Sequence, residues 1–240
     1  MALNITATGT TGPGYVSAYP CDSERPEVSN VNFSGANETV PNFALVSLGS
    51  TAELCFYALR STHVLVDIAG YHLFDGGDGF FPIAPRRMFD TRNLGPRLAP
   101  GAVFERDLTG IVSADATAAV MNLTVTGTAG PGYVTAFPCG TEPPTASNVN
   151  YTAANQTRPN LVTVKLPADK RVCFYTLAGA HLLADIAGWY SPSADVGFID
   201  FPPVRVFDTR EPAGSPPILA DEVICFTLAA PEIKALAWNL

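Results

Sequence analysis

The 240-residue sequence predicts an all-β protein of two tandem β-sandwich modules of about 118 residues, circularly out of phase at the termini. Three observations support this prediction. Apolar and polar residues alternate in short runs, as they do in half-buried strands. The 21 prolines and 20 glycines separate these runs into short segments. Residues 12–21, GPGYVSAYPC, return as residues 130–139, GPGYVTAFPC.

The repetition extends well beyond this ten-residue phrase. Residues 1–92 align with residues 119–210 without a gap, and 44 of the 92 aligned positions are identical. Internal repetition of this strength indicates two copies of one structural unit.

Each copy divides into about eight short strands. In the first strand Leu3, Ile5 and Ala7 alternate with polar residues, which places the apolar side chains on one face. The strands predicted for the first copy are residues 2–8, 14–20, 29–34, 42–48, 53–59, 62–69, 86–90 and 102–109. Eight strands of this length favour a β-sandwich, with a jelly roll as one arrangement and a closed barrel as the alternative.

The chain ends do not coincide with the module ends. Stretches rich in glycine, serine, aspartate and proline at 71–81 and 189–198 predict linkers. Residues 79–190 would then be a complete β module, residues 1–75 the back part of a module, and residues 196–240 the front part of another.

Three explanations fit these two partial modules. They can close on each other within one chain. The front of one chain can instead complete the back of the next, which gives a head-to-tail filament of copies of this chain. The sequence can also be an excerpt from a longer array of repeats. In each case the unfinished module presents strand edges and apolar faces that need a partner.

The cysteines repeat with the module. Cys21 and Cys55 are 34 residues apart, and so are Cys139 and Cys173. We expect one disulfide within each pair, with free buried thiols as the alternative. The sequence lacks the CxxC spacing of zinc sites, and disulfides indicate an oxidising compartment.

Cys225 is the fifth cysteine, and it aligns loosely with Glu105 of the other copy. Two interpretations are open for it: a bridge to another molecule, or a small apolar side chain in the interior.

The chain carries 14 Lys and Arg against 22 Asp and Glu, a formal net charge of −8. Nucleic acids and anionic membranes attract clustered positive charge, so we expect neither as a partner. No apolar run is long enough to cross a bilayer, and we expect no membrane insertion.

The string GPGYVTAFPC…SNVNY…RPNLVTV…VCFY…DIAGWY…RVFDTR resembles a tandem β repeat of large secreted or surface proteins of actinobacteria. The resemblance covers nearly the whole chain in both copies. It implies an extracellular or cell-surface setting, in proteins that sometimes also contain peptidoglycan-active domains. It carries over no catalytic residue.

The strongest polar motif is an arginine–aspartate pattern present in both copies. Its residues are Arg87, Asp90 and Arg92 in one copy and Arg205, Asp208 and Arg210 in the other. Two arginines could bind a carboxylate or sulfate ligand. The structural alternative, that Asp caps a turn and pairs with Arg, is favoured because a repeated module must rebuild its turns.

Two aromatic residues, Tyr71 and Trp189, are candidates for contact with a cell-wall glycan. The sequence shows no nucleophile–base pair and no metalloprotease or phosphate-binding motif. We therefore expect no enzymatic activity and no cofactor. The leading hypothesis is an extracellular structural repeat protein of a surface fibre or adhesive stalk, and glycan or cell-wall binding is the alternative.

Overall fold

The computed structural model describes residues 1–26, 29–46, 48–72, 77–194, 198–208 and 218–227, and these residues form sixteen strands. The strands are β1 (Ala2–Thr8), β2 (Gly14–Pro20), β3 (Val31–Phe33), β4 (Thr39–Leu45), β5 (Glu53–Ala58), β6 (His63–His72), β7 (Gly79–Asp90), β8 (Val103–Asp107), β9 (Ala118–Thr126), β10 (Gly132–Pro138), β11 (Val149–Tyr151), β12 (Arg158–Lys165), β13 (Arg171–Thr176), β14 (His181–Ser191), β15 (Phe198–Asp208) and β16 (Val223–Thr227). A short 3-10 helix, Thr91–Asn93, follows β7.

The chain divides into two compact units. Unit 1 comprises Met1–Phe74 together with Arg205–Leu240, and unit 2 comprises Asp75–Val204. Unit 1 therefore contains residues from both ends of the sequence.

Unit 2 is a β-sandwich of two four-stranded sheets, ordered β7-β14-β9-β12 and β8-β13-β10-β11. All its described pairings are antiparallel. Counted along the unit, the strand orders are first-eighth-third-sixth and second-seventh-fourth-fifth, which is the order of a jelly roll. The all-β sandwich prediction is confirmed. The alternative of a closed barrel is wrong, because the strands form two separate open sheets.

The core of unit 2 lies between these two sheets. On β9, Met121, Leu123 and Val125 are fully buried, whereas the intervening residues are less buried, as strand alternation requires. On the facing sheet Phe174 is completely buried, and its ring meets that of Phe89 edge-on at 5.0 Å. Such aromatic packing contributes more than the area it buries.

Unit 1 has the corresponding order, with sheets β15-β6-β1-β4 and β16-β5-β2-β3. Strands β1 to β6 come from the start of the chain, and β15 and β16 come from its other end. The register of β16 against β5 places Cys225 opposite Cys55 and Phe226 opposite Leu54. For β15 and β16 only the backbone is described.

Hydrogen bonds in the two units recur at the 118-residue offset. The Asn30 Oδ1 accepts from the Ala18 amide at 2.6 Å, and the Asn148 Oδ1 accepts from the Ala136 amide at 2.7 Å. The hydroxyl of Thr10 donates to the Gly35 carbonyl at 2.7 Å, as the hydroxyl of Thr128 does to Ala153 in unit 2. The positive φ of 59° at Asn37 likewise recurs, as 58° at Asn155.

Several strand boundaries differ from the predictions for physical reasons. The third strand is shorter than predicted, since the Asn30 side chain binds a neighbouring strand's amide before β3 begins. The fourth begins at Thr39 and includes Pro41, which is tolerated because β4 lies at a sheet edge. Strand β7 begins at Gly79 because two register shifts keep it paired along β14. The predicted linker stretches therefore overlap the ends of strands.

Candidate functional site

The repeated arginine motif lies where β7 pairs with β14. The register of these strands places Arg87 opposite Asp185, and the guanidinium binds this carboxylate through two hydrogen bonds. Its Nη1 also donates to Asp90 at 3.4 Å. The contact with Asp185 is the main cause that raises the pKa of Arg87. Arg87 thus connects two carboxylates across neighbouring strands.

Asp90 ends β7 and caps the short helix that follows. Its carboxylate accepts from the backbone amide of Arg92 at 3.0 Å and from the Arg92 Nε at 2.9 Å. The hydrogen bond from the Arg92 side chain is the largest cause that lowers the pKa of Asp90. The motif therefore forms its own turn and pairs its own charges.

Thr91, between these two residues, ties the turn to β14. It is 2% exposed, and its hydroxyl accepts a hydrogen bond from the Leu182 amide at 2.9 Å. The same hydroxyl lies 3.4 Å from Nδ1 of His181. The Thr91 hydroxyl is therefore the neighbour of the His181 ring, and no carboxylate contacts His181 in the described part of the chain.

The cluster of Arg87, Asp90, Arg92 and Asp185 carries two positive and two negative charges. An anionic ligand at either guanidinium would have to displace a carboxylate that already pairs with it. These ion pairs connect β7, the turn after it and β14. In the other copy, Arg205 and Asp208 lie in β15, whose side chains are not described, and Arg210 lies outside the described residues.

The two aromatic candidates, Trp189 in unit 2 and Tyr71 in unit 1, are both partly buried. Trp189 is partly buried and packs against the core of unit 2, and its indole N–H has no hydrogen-bond partner among the described residues. Its ring stacks on Phe81 at 5.0 Å with an interplanar angle of 16°. Tyr71 is half-buried on β6 of unit 1.

Phe81 is a candidate contact residue that sequence reasoning missed. It is 50% exposed, so one face of its ring rests on Trp189 and much of the remainder is accessible. The repeat could not reveal it, because the aligned residue is Ile199. The available signal was the pair Phe80-Phe81 at the start of a strand that lies beside Trp189 and Tyr190.

The predicted disulfides form in both units. Cys21 is bonded to Cys55, and Cys139 is bonded to Cys173. This confirms both predicted pairs and excludes four free thiols. Disulfides of this kind are typical of oxidising compartments.

Glu105 lies beside the second disulfide. One of its carboxylate oxygens and the sulfurs of Cys139 and Cys173 lie within 4.8 Å of one another. A metal site would need thiolates, and these two sulfurs are bonded to each other. The Glu105 carboxylate instead accepts from Arg171 at 2.9 Å.

Comparison with known proteins returns no matching family model and no matching curated protein. In the described residues, no helix has the length and apolar character to cross a membrane.

Proposed function

We propose that this chain is a non-enzymatic extracellular structural protein, a component of a surface fibre or adhesive stalk that assembles head-to-tail by β-module completion. One observation carries the proposal: unit 1 is completed by β15 and β16, which come from the opposite end of the chain. A sandwich built in this way can take its first two strands from its own chain or from a neighbour, with the same hydrogen bonds.

The positions of the completing strands support such an exchange. Strand β15 is at the edge of one sheet beside β6, and β16 is at the edge of the other beside β5. Each pairs with one strand only, so replacing it by the same strand of another copy leaves the remaining ladders intact. Only residues 192–197 separate β14 from β15, and a short connection of this kind favours exchange between chains.

The proposed extracellular location rests on the two disulfides and on the resemblance to actinobacterial surface repeats. A structural role is supported by the Arg87–Asp185 cluster, whose charged groups bind each other.

The experiment is light scattering of the full chain without reductant, with negative-stain images of the same sample. Fibres whose axial repeat matches one subunit would support the proposal. A single species at 25.3 kDa at all concentrations would overturn the assembly.

A matched pair of variants shows whether any fibre depends on β16. Ile224→Pro removes the backbone donor of β16 that faces β5, opposite Phe56, and should abolish the fibres. Phe104→Pro makes the same change in β8, opposite Phe174, within the unit that is complete in itself. Fibres that survive Ile224→Pro would contradict assembly through this strand.

Glycan or cell-wall binding is a second candidate because the exposed ring of Phe81 stacks on the partly buried Trp189. Aromatic faces provide contact area to sugar rings at low entropic cost. Sedimentation with purified peptidoglycan tests it. Phe81→Ala should reduce the bound fraction, while Tyr71→Ala separates the contribution of the aromatic residue in unit 1. Equal, background-level sedimentation of all three proteins would rule the candidate out.

A further inference from the structure

Three cysteines converge on β5 of unit 1. Cys55 lies on this strand and is bonded to Cys21, which follows the neighbouring strand β2. On the other side of β5, the register places Cys225 directly opposite Cys55. Directly opposite residues of antiparallel strands have Cα atoms about 4.5–5.5 Å apart, which lies within the Cα–Cα range of disulfides.

Unit 2 shows what a side chain at this register position can reach. There Glu105 lies opposite Cys173, as Cys225 lies opposite Cys55. The Glu105 carboxylate lies within 4.8 Å of both sulfurs of the Cys139–Cys173 disulfide. The position on the edge strand therefore gives access to the disulfide of the adjacent strand, and in unit 1 the sequence places a thiol there.

We propose that Cys21, Cys55 and Cys225 form a thiol–disulfide exchange unit in which Cys55 is bonded to Cys21 in one state and to Cys225 in the other. This proposal does not depend on the proposed fibre.

The exchange is balanced without an external oxidant. The Cys225 thiolate attacks the Cys55 sulfur, the Cys55–Cys225 bond forms, and the Cys55–Cys21 bond breaks. The electron pair of the broken bond leaves on the Cys21 sulfur, which takes up a proton equivalent to the one lost by Cys225. One disulfide and one thiol are present before and after the step.

The two states differ in what they connect and in what they present to solvent. With Cys55 bonded to Cys225, the edge strand β16 is covalently attached to β5, so the completion of unit 1 becomes a covalent closure. The thiol then resides on Cys21, which is partly exposed, whereas Cys55 is 4% exposed. Cys21 is thus the sulfur that this exchange would make available to a reagent.

The test maps the reactive thiol in the full native chain. The protein is alkylated with N-ethylmaleimide without reductant, denatured, and cleaved before each aspartate. This cleavage places Cys21, Cys55 and Cys225 on separate peptides, residues 1–21, 22–66 and 221–240. Mass spectrometry then identifies the alkylated and the disulfide-linked peptides.

We expect alkylation on peptide 1–21, together with a disulfide between peptides 22–66 and 221–240. Cys225→Ser should reduce alkylation of 1–21 to background, because no thiol remains to release Cys21. Two results would overturn the proposal: alkylation confined to 221–240 in the native chain, or equal alkylation of 1–21 in the chain and in Cys225→Ser.

Unit 2 offers a matched control. Glu105→Cys, made in the Cys225→Ser background, places a cysteine at the corresponding position beside Cys139–Cys173. Cleavage before aspartate again separates the three sites, on peptides 90–106, 115–168 and 169–184. We expect alkylation of 115–168, which carries Cys139. Its absence would show that this register position does not permit exchange and would count against the proposal for unit 1.

Discussion

The side-chain oxygen of Asn148 accepts a hydrogen bond from the backbone amide of Ala136 at 2.7 Å. Asn148 is 8% exposed, and its own carbonyl accepts from the Asn160 side chain at 2.6 Å. Ala136 lies in β10, Asn148 directly precedes β11 and Asn160 lies in β12, so these bonds connect three strands of unit 2. The same bonds involve Asn30, Ala18 and Asn42 in unit 1.

Asn148→Ala should therefore destabilise the protein. It leaves the buried Ala136 amide without its acceptor, a loss of about 1–3 kcal/mol of unfolding free energy. Urea denaturation followed by tryptophan fluorescence measures it. Asn30→Ala is the matched variant for unit 1, and a loss below about 0.5 kcal/mol in both variants would contradict a structural role for this asparagine.

Thr91→Val should also destabilise unit 2. Valine has nearly the same shape, but it leaves the Leu182 amide without the hydroxyl that it binds at 2.9 Å. We expect a loss of about 1–3 kcal/mol in the unfolding free energy, measured by urea denaturation. Thr91→Ser keeps the hydroxyl and serves as the control. If serine and valine are equally destabilising, the methyl packing rather than the hydrogen bond is responsible.

The acid dependence of stability should decrease in Asp90→Asn. The Arg92 side chain lowers the pKa of Asp90 in the folded chain, relative to about 3.9 in the unfolded chain. The stabilising contribution is therefore complete above the unfolded-state pKa and is lost as the pH falls through the lower folded-state pKa.

Asparagine retains the capping oxygen and removes the charge. Denaturation midpoints between pH 2 and 7 should converge for the two proteins at the acid end and diverge above about pH 4. A constant difference at all pH values would show that the charge of Asp90 is not the cause.

Removal of the Cys139–Cys173 disulfide should lower stability substantially. The bond closes a loop across a sequence separation of 34 residues, for which the chain-entropy relation gives roughly 3–4 kcal/mol. The double variant Cys139→Ser/Cys173→Ser is compared with the unmodified chain in urea without reductant. The control repeats both measurements with reductant present, where the difference between the two proteins should shrink. A difference that persists unchanged would mean that the serines, and not the lost bond, destabilise the fold.

The fold class could be predicted from the sequence because its signals are local. Alternation over Met121–Val125 reports the buried face of β9 directly. The equal spacing of Cys21/Cys55 and Cys139/Cys173 reports pairs that the structure bonds. Boundaries were less accurate where distant contacts decide them. Pro41 is accommodated in β4 because of the strand's place at a sheet edge, which no local pattern reveals.

The arginine motif was recognisable as a unit, but its partner was not. Asp185 is far along the chain from Arg87 and meets it only through the register of β7 against β14. Phe81 was missed because it meets Trp189 only through the register of β7 against β14. The division into residues 1–75, 79–190 and 196–240 stays a prediction.

The sequence by itself determined the all-β class, the 118-residue repetition and the two disulfide pairs, because alternation, identity and spacing are properties of the chain order. Only the tertiary structure decided the jelly-roll strand order, the pairing of β15 and β16 with β6 and β5, and the position of Cys225 opposite Cys55. These depend on which strands hydrogen-bond across long separations. That choice is made by the packing of two whole sheets, and no short segment encodes it.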